Sequence, residues 1–144
     1  MAPLGLEPEP VGTPSGVEAR VRADTVVLVD TAGVNPFRSG EVARLAQWLA
    51  PARAEVVLVL PAGTDAQDAI EIVGAFAAAG ARRCVATRID AARRVGAVVA
   101  AGAAGLALGE ASVSPLIGKP MPPVTPAGLA RLLLRRAAGD GKAG

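Results

Sequence analysis

Residues 55–90 read EVVLVLPAGTDAQDAIEIVGAFAAAGARRCVATRID, and their pattern decides the fold class. Glu55 to Leu60 is a continuous apolar run rather than an alternating one, as expected for a strand buried on both faces of a parallel sheet. Thr64 or Asp65 can then cap a helix whose Ala69, Ile72, Val73 and Phe76 recur at helical spacing, with Gly80 as its stop. Arg83 to Ile89 reads as the next strand. A strand, a helix and a second strand in this order form a right-handed crossover unit.

The same alternation extends outward. Thr25 to Val29 (TVVLV) is expected to be the first strand, and Leu106 to Val113 the last. Ser39 can cap a helix through Val42, Leu45, Ala46 and Leu49, and another helix is expected over Ala91–Ala103. The last helix has Thr125 as N-cap and Pro126 at its first position, then Leu129, Leu132 and Leu133. Residues 1–23, with Pro3, Pro8, Pro10 and Pro14, read as an extended lead-in with at most one edge strand near Leu4–Glu9. The domain is expected to cover 24–136, and the tail 137–144 (AAGDGKAG) to fray. The fold class is α/β with a parallel sheet.

Composition narrows the chemistry. A chain of 144 residues that is 51% apolar suits one packed domain. Alanine fills 32 positions and the aromatics are Phe37, Trp48 and Phe76 alone, so the core is built from small side chains. There is no His and no Tyr, which excludes Ser–His triads, His general bases and His metal ligands. Cys84 is the only cysteine, so no internal disulfide forms and a reducing cytoplasm is the expected setting. Cys84 itself reads as a small core residue, Trp48 as helix packing, and Gly102 and Gly105 as packing positions rather than a dinucleotide fingerprint.

The net charge of +2 is too small to imply a nucleic-acid partner. The Arg pairs at 82–83, 93–94 and 135–136 lack interleaved aromatics and read as solvated helix faces. No basic-then-apolar leader pattern opens the chain. Its longest uncharged stretch, Val95 to Gly109, is 15 residues broken by glycines, against the ~20 a membrane helix needs.

Ligands of open parallel sheets sit beyond the carboxyl ends of the strands. The first expected strand ends in Asp30-Thr31-Ala32-Gly33. A carboxylate there suits a hydrated Mg²⁺, and the Gly lets a backbone N–H approach a phosphate. The Arg83–Ile89 strand runs into Thr87-Arg88-Ile89-Asp90, where a carboxylate can accept from both the N1–H and the exocyclic amine of guanine. Taken singly, either Asp also fits a plain turn former or helix cap.

With those motifs in view, the sequence resembles the signal-recognition-particle-type GTPases. VVLVDTAGVNPF is similar to their DTAGR segment and ATRID to their TKxD guanine motif. LPAGTDAQDAIEI, RRVGA and LALGEASVSPLIGKPMPPVTPAGLARLLL resemble the segments that follow, through the terminal TP-x-x-LARLLL helix. The nearest branch is the flagellar one, the placement regulators, over roughly residues 24–136. The resemblance implies the C-terminal half of a P-loop-NTPase-like domain that binds GTP and Mg²⁺. It implies that Asp30 orders Mg²⁺ through water, with Thr31 beside it, and that Gly33 lies on the γ-phosphate side. It also implies that Asp90 reads guanine next to Thr87, with the Arg88 stem along the base. The implied partners are a second copy or another GTPase of the type, with inner-membrane or flagellar components, and a peripheral place at the inner membrane.

Three residues depart from the family: Val34 stands for an Arg of the active dimer, Arg88 for a Lys, and Ser114 for a Gly. The largest departure is the phosphate loop. No G-x-x-x-x-G-K-[ST] pattern occurs in the chain, and neither of its lysines, Lys119 and Lys142, has that context. GTP binding is therefore expected to be weak and hydrolysis absent. In the family the phosphate-loop strand separates the DTAG strand from the next one. Here those two are expected either to pair directly or to leave apolar edges that favour self-association. The alternative function is a non-catalytic α/β interaction or dimerisation module without nucleotide. A phosphorylatable receiver domain fits poorly, since Asp30 lacks the acidic partner and late Lys of that site.

Overall fold

Three of the apolar runs form the sheet of the structure, a computed structural model that describes residues 5, 7–38 and 40–139. Strands β1 (Val57–Pro61), β2 (Arg83–Thr87) and β3 (Ala107–Ala111) are parallel and lie in that order. The helices are α1 (Pro14–Glu18), α2 (Glu41–Leu49), α3 (Ala66–Ala78), α4 (Gly96–Ala103) and α5 (Pro126–Gly139), with a 3-10 turn at Ala50–Ala52. The α/β class expected from the pattern is observed.

Both crossovers move the chain in the same direction across the sheet. Right-handed connection therefore puts α3 and α4 on one face, and the side-chain alternation agrees. Leu58, Leu60 and Cys84 are buried with Ala69 and Val73 of α3 and Ala97 and Ala101 of α4, and Ala86 is buried with Val98 of α4. Alanine and glycine make this layer thin. A Cβ added at Gly96 would lie 3.6 Å from the Ala66 Cβ, and one at Gly102 would lie 3.3 Å from the Leu108 side chain. Gly102 is thus a packing glycine, as its sequence context suggested.

Local signals place the ends of the elements. Asp65, in extended conformation, caps α3 by accepting from the N–H groups of Gln67 and Asp68. Gly80 ends that helix at φ 100°, a conformation costly for any side chain. Thr125 caps α5 through its hydroxyl, which accepts from Gly128 N–H at 3.1 Å. Leu129 and Leu132 of α5 pack on a second apolar cluster around Ala86, Ile89, Val95 and Val98.

The other face of β1 is open, with Val57 41% and Val59 61% exposed. A continuous apolar run suits a strand covered on both sides, whereas β1 alternates exposed and buried along its whole length.

The run Thr25–Val29 departs furthest from expectation. It belongs to no ladder, and Val26 and Leu28 are 86% and 89% exposed. β-Branched residues favour extended backbone, but a strand also needs a neighbour to bond with. A groove separates this run from β1, so of the two outcomes foreseen, apolar edges are left unpaired.

Smaller differences have local causes. Gly40 (φ 88°) is the N-cap of α2, whose inward Val42 and Leu49 are buried, while Ser39 lies outside the described residues. Helix α4 starts at Gly96 rather than Ala91, because the N–H groups of Ala91 and Ala92 turn back to the Arg88 carbonyl. Leu133 is 40% exposed, since Leu129 and Leu132 already define the inward stripe of α5.

The lead-in is not wholly extended. Pro14–Glu18 is helical, Val17 is buried, and Arg20 pairs with Glu9, which holds the Glu9 carboxyl below its ordinary range. Residues 7–9 form no strand, and 1–4 and 6 lie outside the description. Helix α5 runs to Gly139, three residues past Arg136, and 140–144 lie outside the described residues. Among the described residues no helix is long and apolar enough to cross a membrane.

The two kinds of contact predict different losses in urea unfolding. Leu60→Ala, which empties the core beside Val73, should cost about 3 kcal/mol. Asp65→Ala, which removes only a cap, should cost about 1 kcal/mol.

Candidate functional site at the carboxyl edge of the sheet

The turn after β2 is the most tightly specified feature of this edge. Thr87 is half-buried, and its carbonyl accepts from Ala62 N–H at 2.8 Å. Arg88 then takes φ 58°, a left-handed conformation that costs a non-glycine residue on the order of 1 kcal/mol. The reversal is held from both sides. The Arg88 carbonyl accepts from Ala92 N–H at 3.0 Å, and Ile89 N–H donates to the Ser112 carbonyl at 3.1 Å. Ser112 N–H donates back to Ala86 at 2.8 Å, which ties β3 to the same hook.

Ile89 and Ala92 are buried, whereas Arg88 and Asp90 are exposed. The hook therefore presents a carboxylate and a guanidinium to solvent on either side of an anchored Ile. A carboxylate so placed can accept two parallel N–H donors from a planar ligand edge, and the Arg stem can lie along a ring face.

Asp30, Thr31 and Gly33 are exposed and occupy a different feature. They line a groove of about 840 Å³ that also touches Pro61 and Thr64 at the end of β1. Thr87, Arg88 and Asp90 do not line it, so the structure does not bring the two motifs into one pocket. A Cβ added at Gly33 would meet nothing within 4 Å. The NPF sequence that follows is a turn, in which Asn35 Oδ1 accepts from Phe37 N–H and the Glu41 carboxylate accepts from Asn35 N–H at 2.8 Å.

The start of α3 is poorly suited to phosphate. Asp65 already occupies the N–H groups that open α3, and Asp68 adds a second negative charge in its first turn. An anion is disfavoured there. Asp30 is a single exposed carboxylate, and among the described residues no three His, Cys, Asp or Glu side chains gather into a metal cage. The exposed Asp90 carboxylate can serve a planar donor edge, and the two carboxylates opening α3 disfavour a triphosphate there.

Some features of the edge escaped the sequence reading. The left-handed Arg88 has no signal in its residue type. Arg93 and Arg94 lie in the turn before α4, where with Gly63 they line a cavity of about 330 Å³, rather than on a helix face. Arg83 opens β2 and sits 3.7 Å from Glu55. Arg135 and Arg136 do lie on α5. Ser114 shapes the closing loop by accepting from Leu116 N–H at 3.2 Å.

Cys84 takes no part in this edge. It is 1% exposed, and burial pushes its thiol above the ordinary range, partly opposed by a backbone hydrogen bond from Leu60. No protein-family profile, curated protein or solved structure matches the chain.

A thiol reagent should leave Cys84 unmodified in the native protein and react on unfolding. Because the folded state holds the thiol proton more tightly, the contribution of this group to stability is complete below the unfolded thiol pKa. It should decline as pH rises from there through the folded value. Urea midpoints across alkaline pH, beside Cys84→Ala, would show the slope, and a slope unchanged by the substitution would contradict the assignment.

Proposed function

We propose that the chain is a guanine-nucleotide-binding domain of the signal-recognition-particle GTPase type that reads the base through Asp90 and holds the phosphates weakly. The observation that supports this reading is the hook after β2. It sits at the carboxyl edge where parallel sheets take ligands, and hydrogen bonds to two neighbouring segments, at Ala62 and Ser112, hold it while Asp90 is exposed. Asp90 accepts from the guanine N1–H and amine, and Arg88 lies along the base. On the resemblance alone, Asp30 would meet Mg²⁺ through water with Thr31 and Gly33 beside the phosphates, although these three line the groove beside β1 and not the hook. The lack of a phosphate-loop sequence and the two carboxylates opening α3 keep the affinity low, and hydrolysis by the chain alone is absent. On the resemblance, the setting is GTP-linked placement or assembly of a flagellum, or protein targeting at the inner face of a membrane.

The open face and unpaired edge of β1 favour a second reading, an α/β interaction module that works without nucleotide.

Calorimetric titration with Mg²⁺ and GTP, ATP or XTP separates the two. The first reading expects GTP to bind with Kd above ~10 μM and at least tenfold ahead of ATP. Asp90→Asn should lose that preference and gain XTP, because an amide offers one donor and one acceptor in place of two acceptors. Equal binding of GTP and ATP would overturn the base-reading role of Asp90, and no binding at millimolar nucleotide would decide for the second reading.

A further inference from the structure

The groove beside β1 has the strand on one side and the unladdered run 26–30 on the other, and neither is paired across it. β1 bonds to β2 alone, so alternate N–H and C=O groups on its free edge have no ladder partner among the described residues. Residues 26–30, on the other wall, belong to no ladder. Leu45 and Leu49 of α2 and Ile72 and Phe76 of α3 line the remainder, so apolar side chains have somewhere to go. A compact apolar ligand would cover these side chains and leave both backbone rows unanswered. An extended peptide answers them, lying ~4.8 Å from β1 and spanning ~17 Å over five residues.

Charge selects among peptides. Among the described residues the charged side chains lining the groove are Asp30 and Glu55, both acidic and both exposed, and Arg83, which does not line it, stands 3.7 Å from Glu55. The obvious strand of a second copy, 24–30 (DTVVLVD), carries Asp at each end, and β1 of a second copy is preceded by its own Glu55. Either would set like charges against the groove, which disfavours self-insertion.

We propose that this groove binds an extended, β-branched apolar segment of a partner protein flanked by Lys or Arg, which joins the sheet as a strand along the free edge of β1. This deepens the interaction-module reading and requires no nucleotide, so its outcome is independent of the GTP titration.

The test uses the full chain without nucleotide and the peptide Lys-Lys-Val-Ile-Val-Thr-Lys-Lys, with calorimetry and amide hydrogen exchange as readouts. Binding is expected to protect amides of β1 and of 26–30. The same peptide flanked by Glu, or N-methylated at alternate residues, should bind at least tenfold more weakly. Glu55→Lys, at an exposed position, should keep the native circular dichroism and weaken the Lys-flanked peptide about threefold. The proposal is overturned by no binding, by equal binding of the Glu-flanked or N-methylated peptide, or by protection confined to other segments. A concentration-dependent dimer that displaces the peptide and protects the same amides would also overturn it, and would make a second copy the occupant.

Discussion

The structure depends on how closely two helices can approach one face of a three-stranded sheet. Large side chains would push α3 and α4 away from β1 and β2. Ala69, Ala97 and Ala101, together with Gly96 and Gly102, let the layers meet at van der Waals distance. The larger residues, Leu58, Leu60 and Val73, are concentrated where the strands and α3 converge. A thin layer of this kind fixes the helix starts and therefore the loops that precede them. The edge bearing the hook inherits its shape from alanine packing several residues away.

The hook shows how a strained residue is kept in place. Arg88 would relax to an ordinary conformation in an isolated loop. Here Thr87 is bonded to Ala62, Ile89 to Ser112, and the Arg88 carbonyl itself to Ala92, so relaxation of Arg88 would break several hydrogen bonds at once. The outcome is a short exposed stretch held in one conformation, so little entropy would be lost in ordering it against any ligand.

Much of this was legible in the sequence where signals were local. The apolar runs gave β1, β2 and β3 within a residue or two, and Asp65, Gly80, Thr125 and Pro126 marked helix ends through their own backbone chemistry. The exposed place of Asp90 after β2 followed from strand order alone. What failed depended on neighbours. Thr25–Val29 has the composition of a buried strand, but its composition says nothing about whether a pairing edge lies alongside. The late start of α4 and the left-handed Arg88 both arise from the bonds of the hook to Ser112 and Ala92, contacts that no periodicity reports.

The register between β2 and β3 slips once, between the Cys84–Leu108 and Ala86–Ala111 pairs, where β3 carries an extra residue. A Cβ on Gly109 in this slip would lie 3.4 Å from the Cys84 carbonyl. Beyond it, Ser112 is the residue that grips the hook. The slip therefore works as a spacer that sets where Ser112 arrives. As related chains drift, a residue gained or lost within 107–111 would shift that grip and release the turn bearing Asp90. The same change in the exposed loop after Ser114 would be absorbed. Length variation should accordingly collect on the far side of Ser112 and be purged on the near side.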